Sequence, residues 1–465
     1  MRSNDAGVEY EQIGQGNHVD YHALELHPQN PNFMVAGNDG GLYISEDRGE
    51  TWIHVEDLPI TQFYECEIDN LEPSRIFGGT QDNGTLTTIE GEVNDFYRIL
   101  GGDGFHVLVN PQNSDLVYAE FQFGNFYRST TSGNSMEFSF SGLGDDRKNW
   151  NTPVVFDPSN PSTLYYGANR LYRSTDDGFS WEVVSGDLTN GLPPSGALAY
   201  GTISAIAVAP SNPEVIYVGT DDGNLQVSTI GGVVFTNISE GVPDRYVTEI
   251  AVDPMDENTV YATLSGYRNQ DYQPHVMKST NAGQTWEDIS GNLPEIPVND
   301  IILDPDFEDT YFIANDLGVW FTTDGGVDWK ILDPSLPMTV VNDLDFHSST
   351  RTLLAATFGR SMHRVDLSDF TSTTDIEKIG EYQLQINPNP IQHQATIALD
   401  LPRATDGTLE LFDITGRKLT TISTGKFSAG KQTFNHDFSS LVNGQYLIRF
   451  TSTEKILVEK VIVTK

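Results

Sequence analysis

Histidine and aspartate alternate near the start of this 465-residue chain, in His18-Val-Asp20-Tyr-His22. Residues two apart on an extended strand share a side, so His18, Asp20 and His22 would project together. Mixed nitrogen and oxygen donors of this kind suit a transition metal, whereas an all-carboxylate rim would suit a divalent cation such as calcium. Further carboxylates occupy short polar segments: Asn38-Asp39-Gly40-Gly41, Gln81-Asp82-Asn83-Gly84, Gly102-Asp103-Gly104-Phe105-His106 and Thr220-Asp221-Asp222-Gly223. Asn299-Asp300, Asn315-Asp316 and Asn342-Asp343 extend the series. Three chemistries fit these residue types. Asp-Gly pairs make ordinary turns. Two carboxylates can hydrolyse a glycosidic bond, one as acid and one as base or nucleophile. Histidines and carboxylates can also bind a cation or another ligand, with His18, Asp20, His22, Asp82 and His106 as the candidates.

A repeat sets the elements that must position these residues. Ser45-Glu-Asp47-Arg-Gly49-Glu-Thr-Trp52 recurs as Ser174-Thr-Asp176-Asp-Gly178-Phe-Ser-Trp181, as Ser279-Thr-Asn281-Ala-Gly283-Gln-Thr-Trp286 and as Thr322-Thr-Asp324-Gly-Gly326-Val-Asp-Trp329. Eroded copies begin at Thr87, Ser129 and Ser228. A spacing of about 40–50 residues is a signature of propeller blades. The pattern resembles the Asp-box of bacterial neuraminidase repeats, shared with sortilin-type and xyloglucanase-type propellers. Its logic is that of a hairpin turn. The Asp and Ser oxygens accept backbone N–H bonds, the Gly permits positive φ, and the Trp plugs the turn as it opens the next strand. The box residues are therefore structural.

Short alternating runs and near-absent helical periodicity place the chain in the all-β class, as a β-propeller followed by a small β-sandwich. Eight inner strands are expected, beginning near residues 21, 62, 105, 153, 203, 247, 299 and 341. The third strand of the last blade, Ser361-Met-His-Arg-Val365, has no fourth strand after it. The run Val8-Glu-Tyr-Glu-Gln-Ile13 has the alternation of one. Pairing the two would close about eight four-stranded blades and remove two edges. Seven blades, or part of a two-propeller protein, are the alternatives. In a propeller the box turns lie on one face. The loops entering the inner strands, and those between second and third strands, lie on the other, where active sites sit around the channel. The carboxylates above belong to those loops.

Two short segments carry a further resemblance. Asn38-Asp39-Gly40-Gly41-Leu-Tyr and Gly102-Asp103-Gly104-Phe105-His106 are similar to the surroundings of the catalytic aspartates in xyloglucanase-type hydrolases. The resemblance implies Asp39 and Asp103 as the catalytic pair, so any enzyme here would be a glycoside hydrolase. Sialidase activity is disfavoured. Sialidases clamp a carboxylate with three arginines and carry an F/Y-R-I-P motif before the first box, whereas Phe96-Tyr97-Arg98-Ile99-Leu100 lacks the Pro and follows it.

Composition narrows the partners. Lys and Arg number 26 against 66 Asp and Glu. Residues 376–465 hold 10 basic and 9 acidic side chains, leaving 16 and 57 for the rest, a net of −41. A surface this acidic repels nucleic acid and anionic membrane. It suits cations, neutral glycans or a saline medium. Cys66 is the only cysteine, so no disulfide forms within the chain, and its alternating strand makes it a small buried hydrophobe. No apolar run is long enough for a transmembrane helix.

After Leu367 the chain turns polar, and residues 368–380 read as a linker between a propeller at 1–367 and a β-sandwich at 381–465. The marks of the second domain are Asn387-Pro388-Asn389-Pro390, Asp413-Ile-Thr-Gly-Arg417, Leu441-Val-Asn-Gly444-Gln-Tyr446 and the closing Lys460-Val-Ile-Val-Thr-Lys465. Together they resemble the type A C-terminal sorting domain of the type IX secretion system. That resemblance implies a Bacteroidetes-type protein, handled by the secretion machinery and either secreted or held on the outer cell surface. Such cargo first needs a signal peptide. Met1-Arg-Ser-Asn-Asp-Ala-Gly7 has no apolar core, so an incomplete N-terminus is expected. The functional expectation is binding of an extracellular glycan or protein, with glycoside hydrolysis as the alternative.

Overall fold

The computed structural model describes all residues except 57, 93–94, 196–198, 334–335, 369, 371–382, 402–403, 414–416, 429, 453–455 and 465. Most of the expected linker, the centre of the Asp413–Arg417 turn and Lys465 lie outside the described residues. The chain divides into two compact units, Met1–Ser368 and Asp369–Lys465.

The first unit is built from successive antiparallel sheets, numbered 1 to 8 here in chain order. Their inner strands are Tyr21–Leu26, Phe63–Ile68, Gly104–Val109, Val154–Asp157, Ile203–Val208, Tyr246–Val252, Val298–Leu303 and Val341–His347. Sheets 1 to 7 have four strands each, and sheet 8 has three. Each full Asp-box makes the expected turn. In the first, Ser45 Oγ accepts from Gly49 N at 2.7 Å, and Asp47 accepts from Thr51 N at 2.9 Å and Thr51 Oγ1 at 2.6 Å. These donors hold the Asp47 carboxyl down at about 2.

The box tryptophans do more than plug their own turns. Trp181 Nε1 donates to Ser139 O at 3.0 Å, Trp286 Nε1 to Ile238 O at 2.8 Å, and Trp329 Nε1 to Ile289 O at 3.0 Å. Each acceptor belongs to the preceding sheet, so the indole ties neighbours together. Trp52 has no preceding sheet and donates instead to Gly49 of its own box.

Seven of the eight sheets form the ring. The inner strand of sheet 8 packs directly on that of sheet 2: Asp343 Oδ2 accepts from Cys66 N, Asp345 Oδ2 accepts from Ile68 N, and Gln62 bridges to Phe358. Phe63, Cys66, Ile68 and Ile76 share one core with Leu354 and Ala356. Sheet 1 is left outside, with every residue of Tyr21–Leu26 exposed. The seven-blade alternative therefore describes the ring, and an eighth sheet stands beside it. The expected pairing of Val8–Ile13 with the last strand is not made. Glu11 bridges Arg2, whose guanidinium reaches Arg48 O at 2.9 Å, so this segment lies along the first box.

Five inner strands of the ring share a bulge. Register shifts fall between Phe63 and Glu65, Ile203 and Ala205, Val247 and Glu249, Val298 and Asp300, and Val341 and Asp343. A bulge adds a residue and turns the local side chains. It delivers Tyr64, Ser204, Thr248, Asn299 and Asn342 to the channel.

The second unit pairs a three-stranded sheet, built on Gln383–Asn387, Gln394–Leu401 and Gly430–Asp437, with a four-stranded one. Leu399, Leu409, Ile448, Phe450 and Val461 fill the core between them. This is the expected sandwich.

Candidate binding face

Where sheet 1 meets the ring, a cleft of about 520 Å³ opens, lined by His22, Asn38, Asp39, Gln62, Gln81 and Asn83 among others. Its first wall is the turn Asn38–Gly41. Asn38 Oδ1 accepts from Gly40 N at 3.0 Å, and Asn38 Nδ2 donates to His18 O at 2.8 Å. Gly40 is required because a Cβ there would come within 2.4 Å of His18 Cβ. The turn presents the Asp39 carboxylate, which His22 Nε2 meets in a hydrogen bond. The opposite wall is the turn Gln81–Gly84. Asn83 Nδ2 donates to Asp39 O at 2.9 Å, Asp82 N donates to Asp103 Oδ1 at 3.0 Å, and His18 Nε2 meets Asp82 O at 3.0 Å. Asp39, Asp82 and Asp103 are thus linked through the Gln81–Gly84 turn, and of the three Asp39 lines the cleft itself. Burial lifts the Asp82 carboxyl above the ordinary range, and the charges of Asp103 and Asp39 add to it. Asp103 is buried at 8 % exposure, so Asp39 and Asp82 are the more accessible of the three.

The His18–Asp20–His22 set is not brought together. Asp20 has φ 57°, which breaks the alternation just before the strand starts at Tyr21. His18 turns to Asp82 O and His22 to Asp39. Among the described residues no three His, Cys, Asp or Glu side chains are grouped to hold a metal ion. His106 leaves the cleft for the channel, where its Nδ1 stands 3.6 Å from Glu65 Oε2.

That channel mouth is a second cavity, of about 180 Å³, walled by Glu65, His106, Asn151, Glu249, Asp300 and Asp343 together with neutral polar groups. Burial raises Glu249 and Asp343 well above the carboxylate range, with Asp300 and Glu65 as further causes, and raises Asp300 to about 7.

An aromatic belt that the sequence reading missed starts at Tyr64, which lines the channel and reaches the cleft. Tyr64 Oη donates to Gln81 Oε1 in the cleft at 3.1 Å, and its ring stacks on Phe105 at 4.8 Å. Phe105 meets Trp150 at 5.7 Å, Trp150 meets Phe123 at 5.0 Å, and Phe123 meets Tyr200 at 6.1 Å. Arg268 lies over Tyr200 and Tyr246. Phe105 is fully buried, whereas Phe123 is 44 % and Tyr200 38 % exposed, so the Phe123–Tyr200 end of the belt offers apolar surface to the outside. A belt of flat rings beside carboxylate acceptors suits a ligand with apolar faces and a hydroxylated rim.

Comparison with known proteins agrees with this architecture. One solved structure, YCF48 from Cyanidioschyzon merolae, superposes with a TM-score of 0.50 at 11 % identity, over 66 % of this chain and 96 % of that one. A xyloglucanase from Hypocrea jecorina is 25 % identical over 286 residues, which is 51 % of this chain and 33 % of the relative. A xyloglucanase from Acetivibrio thermocellus is 32 % identical over 113 residues, 22 % of this chain and 13 % of the relative. The chain therefore spans a third or less of the length of these curated relatives. Residues 385–464 match the secretion system C-terminal sorting domain family. The chain is thus a β-propeller carrying a type IX sorting domain, a cargo of that secretion machinery placed outside the cell or on its outer surface.

Proposed function

We propose that the face carrying the cleft and the aromatic belt binds an extracellular glycan. The observation that carries this reading is the continuity of Tyr64, Phe105, Trp150, Phe123 and Tyr200 with the linked carboxylates Asp39, Asp82 and Asp103. Sugar rings would stack on the belt while their hydroxyls donate to the carboxylates. The acidic surface favours a neutral chain over a polyanion.

A second reading, hydrolysis, draws on one specific feature. The Asp82 carboxyl is raised by burial first and by the charges of Asp103 and Asp39, the direction a general acid requires. Asp39 would then serve as base or nucleophile, with Asp103 held behind it. The similarity to xyloglucanases, partial and low in identity, supports this reading in kind only.

Isothermal titration against soluble plant and algal polysaccharides, with reducing-sugar release followed on the same samples, tests both readings. Binding without release leaves a binding module, and release identifies a hydrolase. Neither, across neutral polysaccharides, removes the proposal.

A further inference from the structure

The ring closes at a junction unlike its others. Every other pair of neighbouring ring sheets is joined by continuous chain, but sheet 8 ends at Asp366 and sheet 2 begins at Phe63. Among the described residues no fourth strand covers the outer edge of sheet 8, and sheet 2 supplies all four of its own strands. Side chains from the inner strand of sheet 8 span the seam instead. Asp343 Oδ2 accepts from Cys66 N at 2.7 Å, Asp345 Oδ2 accepts from Ile68 N at 2.6 Å, and Asn342 Nδ2 donates to Phe63 O at 2.8 Å. Between sheets 7 and 8 the same kind of link recurs inside the covalently joined ring, Asp300 Oδ2 accepting from Leu344 N at 2.7 Å and Asn299 Nδ2 donating to Val341 O at 2.8 Å. Between sheets 5 and 6, and between 6 and 7, the link is a hydroxyl: Ser204 Oγ donates to Val247 O at 2.7 Å, and Thr248 Oγ1 to Val298 O at 2.9 Å.

We propose that Asp343 and Asp345 form a proton-operated latch, which holds the ring shut at this seam while they are neutral and loosens it when they ionise. The groups around them set the direction. Sheet 2 presents Glu65, Glu67 and the Cys66 thiol, sheet 7 presents Asp300, and sheet 6 presents Glu249. His347 follows on the same strand, with its ring on Asn70 O at 3.1 Å, and His106 of sheet 3 faces Glu65 across the channel. Beyond Glu67, Asp69 is neutralised by Arg75 at 3.4 Å. The channel cavity has no Lys or Arg in its lining. An ionised carboxylate would still accept the same N–H bonds. What changes is the repulsion among Glu65, Glu67, Asp300 and the pair itself, with no Lys or Arg in the channel lining to offset it. Burial already biases both carboxyls toward the neutral form. Because no covalent link crosses this junction, the strain is released there first.

Hydrogen exchange of the full chain tests the latch. Protection of the segments Phe63–Ile68 and Val341–His347, corrected for intrinsic exchange, is expected to fall about tenfold or more between pH about 6 and about 9. Protection of Ile203–Val208, at the hydroxyl-linked junction, is expected to stay constant. The double variant Asp343→Asn with Asp345→Asn keeps the acceptors and removes the charge, so its seam should hold flat. Equal loss at both junctions, an unchanged seam, or a seam that still loosens in the variant would overturn the proposal. Should the variant not fold, Cys66 decides in the natural chain, since this buried thiol lies 3.8 Å from Asp343 O. Its alkylation rate, divided by that of the urea-unfolded chain at the same pH, is expected to rise about tenfold over that range. A constant ratio overturns the latch.

Discussion

Asp39 lines the cleft and Asp82 sits on the adjoining Gln81–Gly84 turn, and their roles separate by environment. Asp39 is met by His22, while Asp82 is pushed toward protonation. If the cleft hydrolyses glycans, Asp39→Asn should lower the rate about 10²-fold or more while leaving polysaccharide retention in place. A rate unaffected by Asp39→Asn and by Asp103→Asn would remove the catalytic assignment. The box tryptophans separate in the same way. Trp329 is 1 % exposed and bonded to the sheet before it, so Trp329→Ala should cost about 3–5 kcal/mol in urea unfolding. Trp52→Ala should cost much less, because the ring does not rest on it. Asp39, Asp82 and Asp103 were legible in the sequence because Asp beside Gly marks turns, and the blade repeat assigns those turns to one face. His18, Asp20 and His22 misled, since their alternation has meaning only on a strand and Asp20 leaves the strand conformation. Phe123, Trp150 and Tyr200 lie in three separate loops with no common spacing, and only the closed ring brings them together.

At the scale of elements, bulges in five inner strands of the ring commit polar side chains to a narrow channel, with consequences for pH. Glu67, Glu120, Glu249, Asp300, Asp343 and Asp345 are all lifted, by burial first. A carboxyl that binds its proton more tightly in the folded chain stabilises the fold fully below its unfolded value of about 4, and loses that contribution as pH rises through its folded value. For Asp300 that is about 7. The turn and loop carboxyls Asp47 and Asp271 are lowered to about 2 by side-chain hydrogen bonds first, and lose their contribution as pH falls toward that value. Melting temperature should therefore peak near about pH 5 and decline toward pH about 8, and a maximum above pH 7 would contradict this assignment. Sheet 1, with its inner strand exposed, should exchange its amides faster than any inner strand of the ring. The strands themselves were legible because the boxes, Pro-rich turns and aliphatic runs recur in one order. The number of ring blades was not, because sheet 1 carries the same repeat as its neighbours and only the contact between sheets 8 and 2 excludes it.

For the whole molecule, the propeller and the sorting domain answer separate questions. The tail was legible because its marks are local turns and strands within 85 residues, and they match the sorting family over residues 385–464. Removing residues 369–465 should abolish delivery outside the cell, with the propeller retained in the periplasm as a folded protein, as fractionation and protease resistance would report. What the delivered propeller does rests on its open face. The most direct measurement is affinity electrophoresis of the natural chain and of the Phe123→Ala, Tyr200→Ala double variant through gels containing neutral plant or algal polysaccharides. Retardation of the natural chain by at least one of them, lost in a variant that melts normally, is the expected result. A natural chain that migrates freely through all of them, or a variant retarded just as strongly, would contradict it.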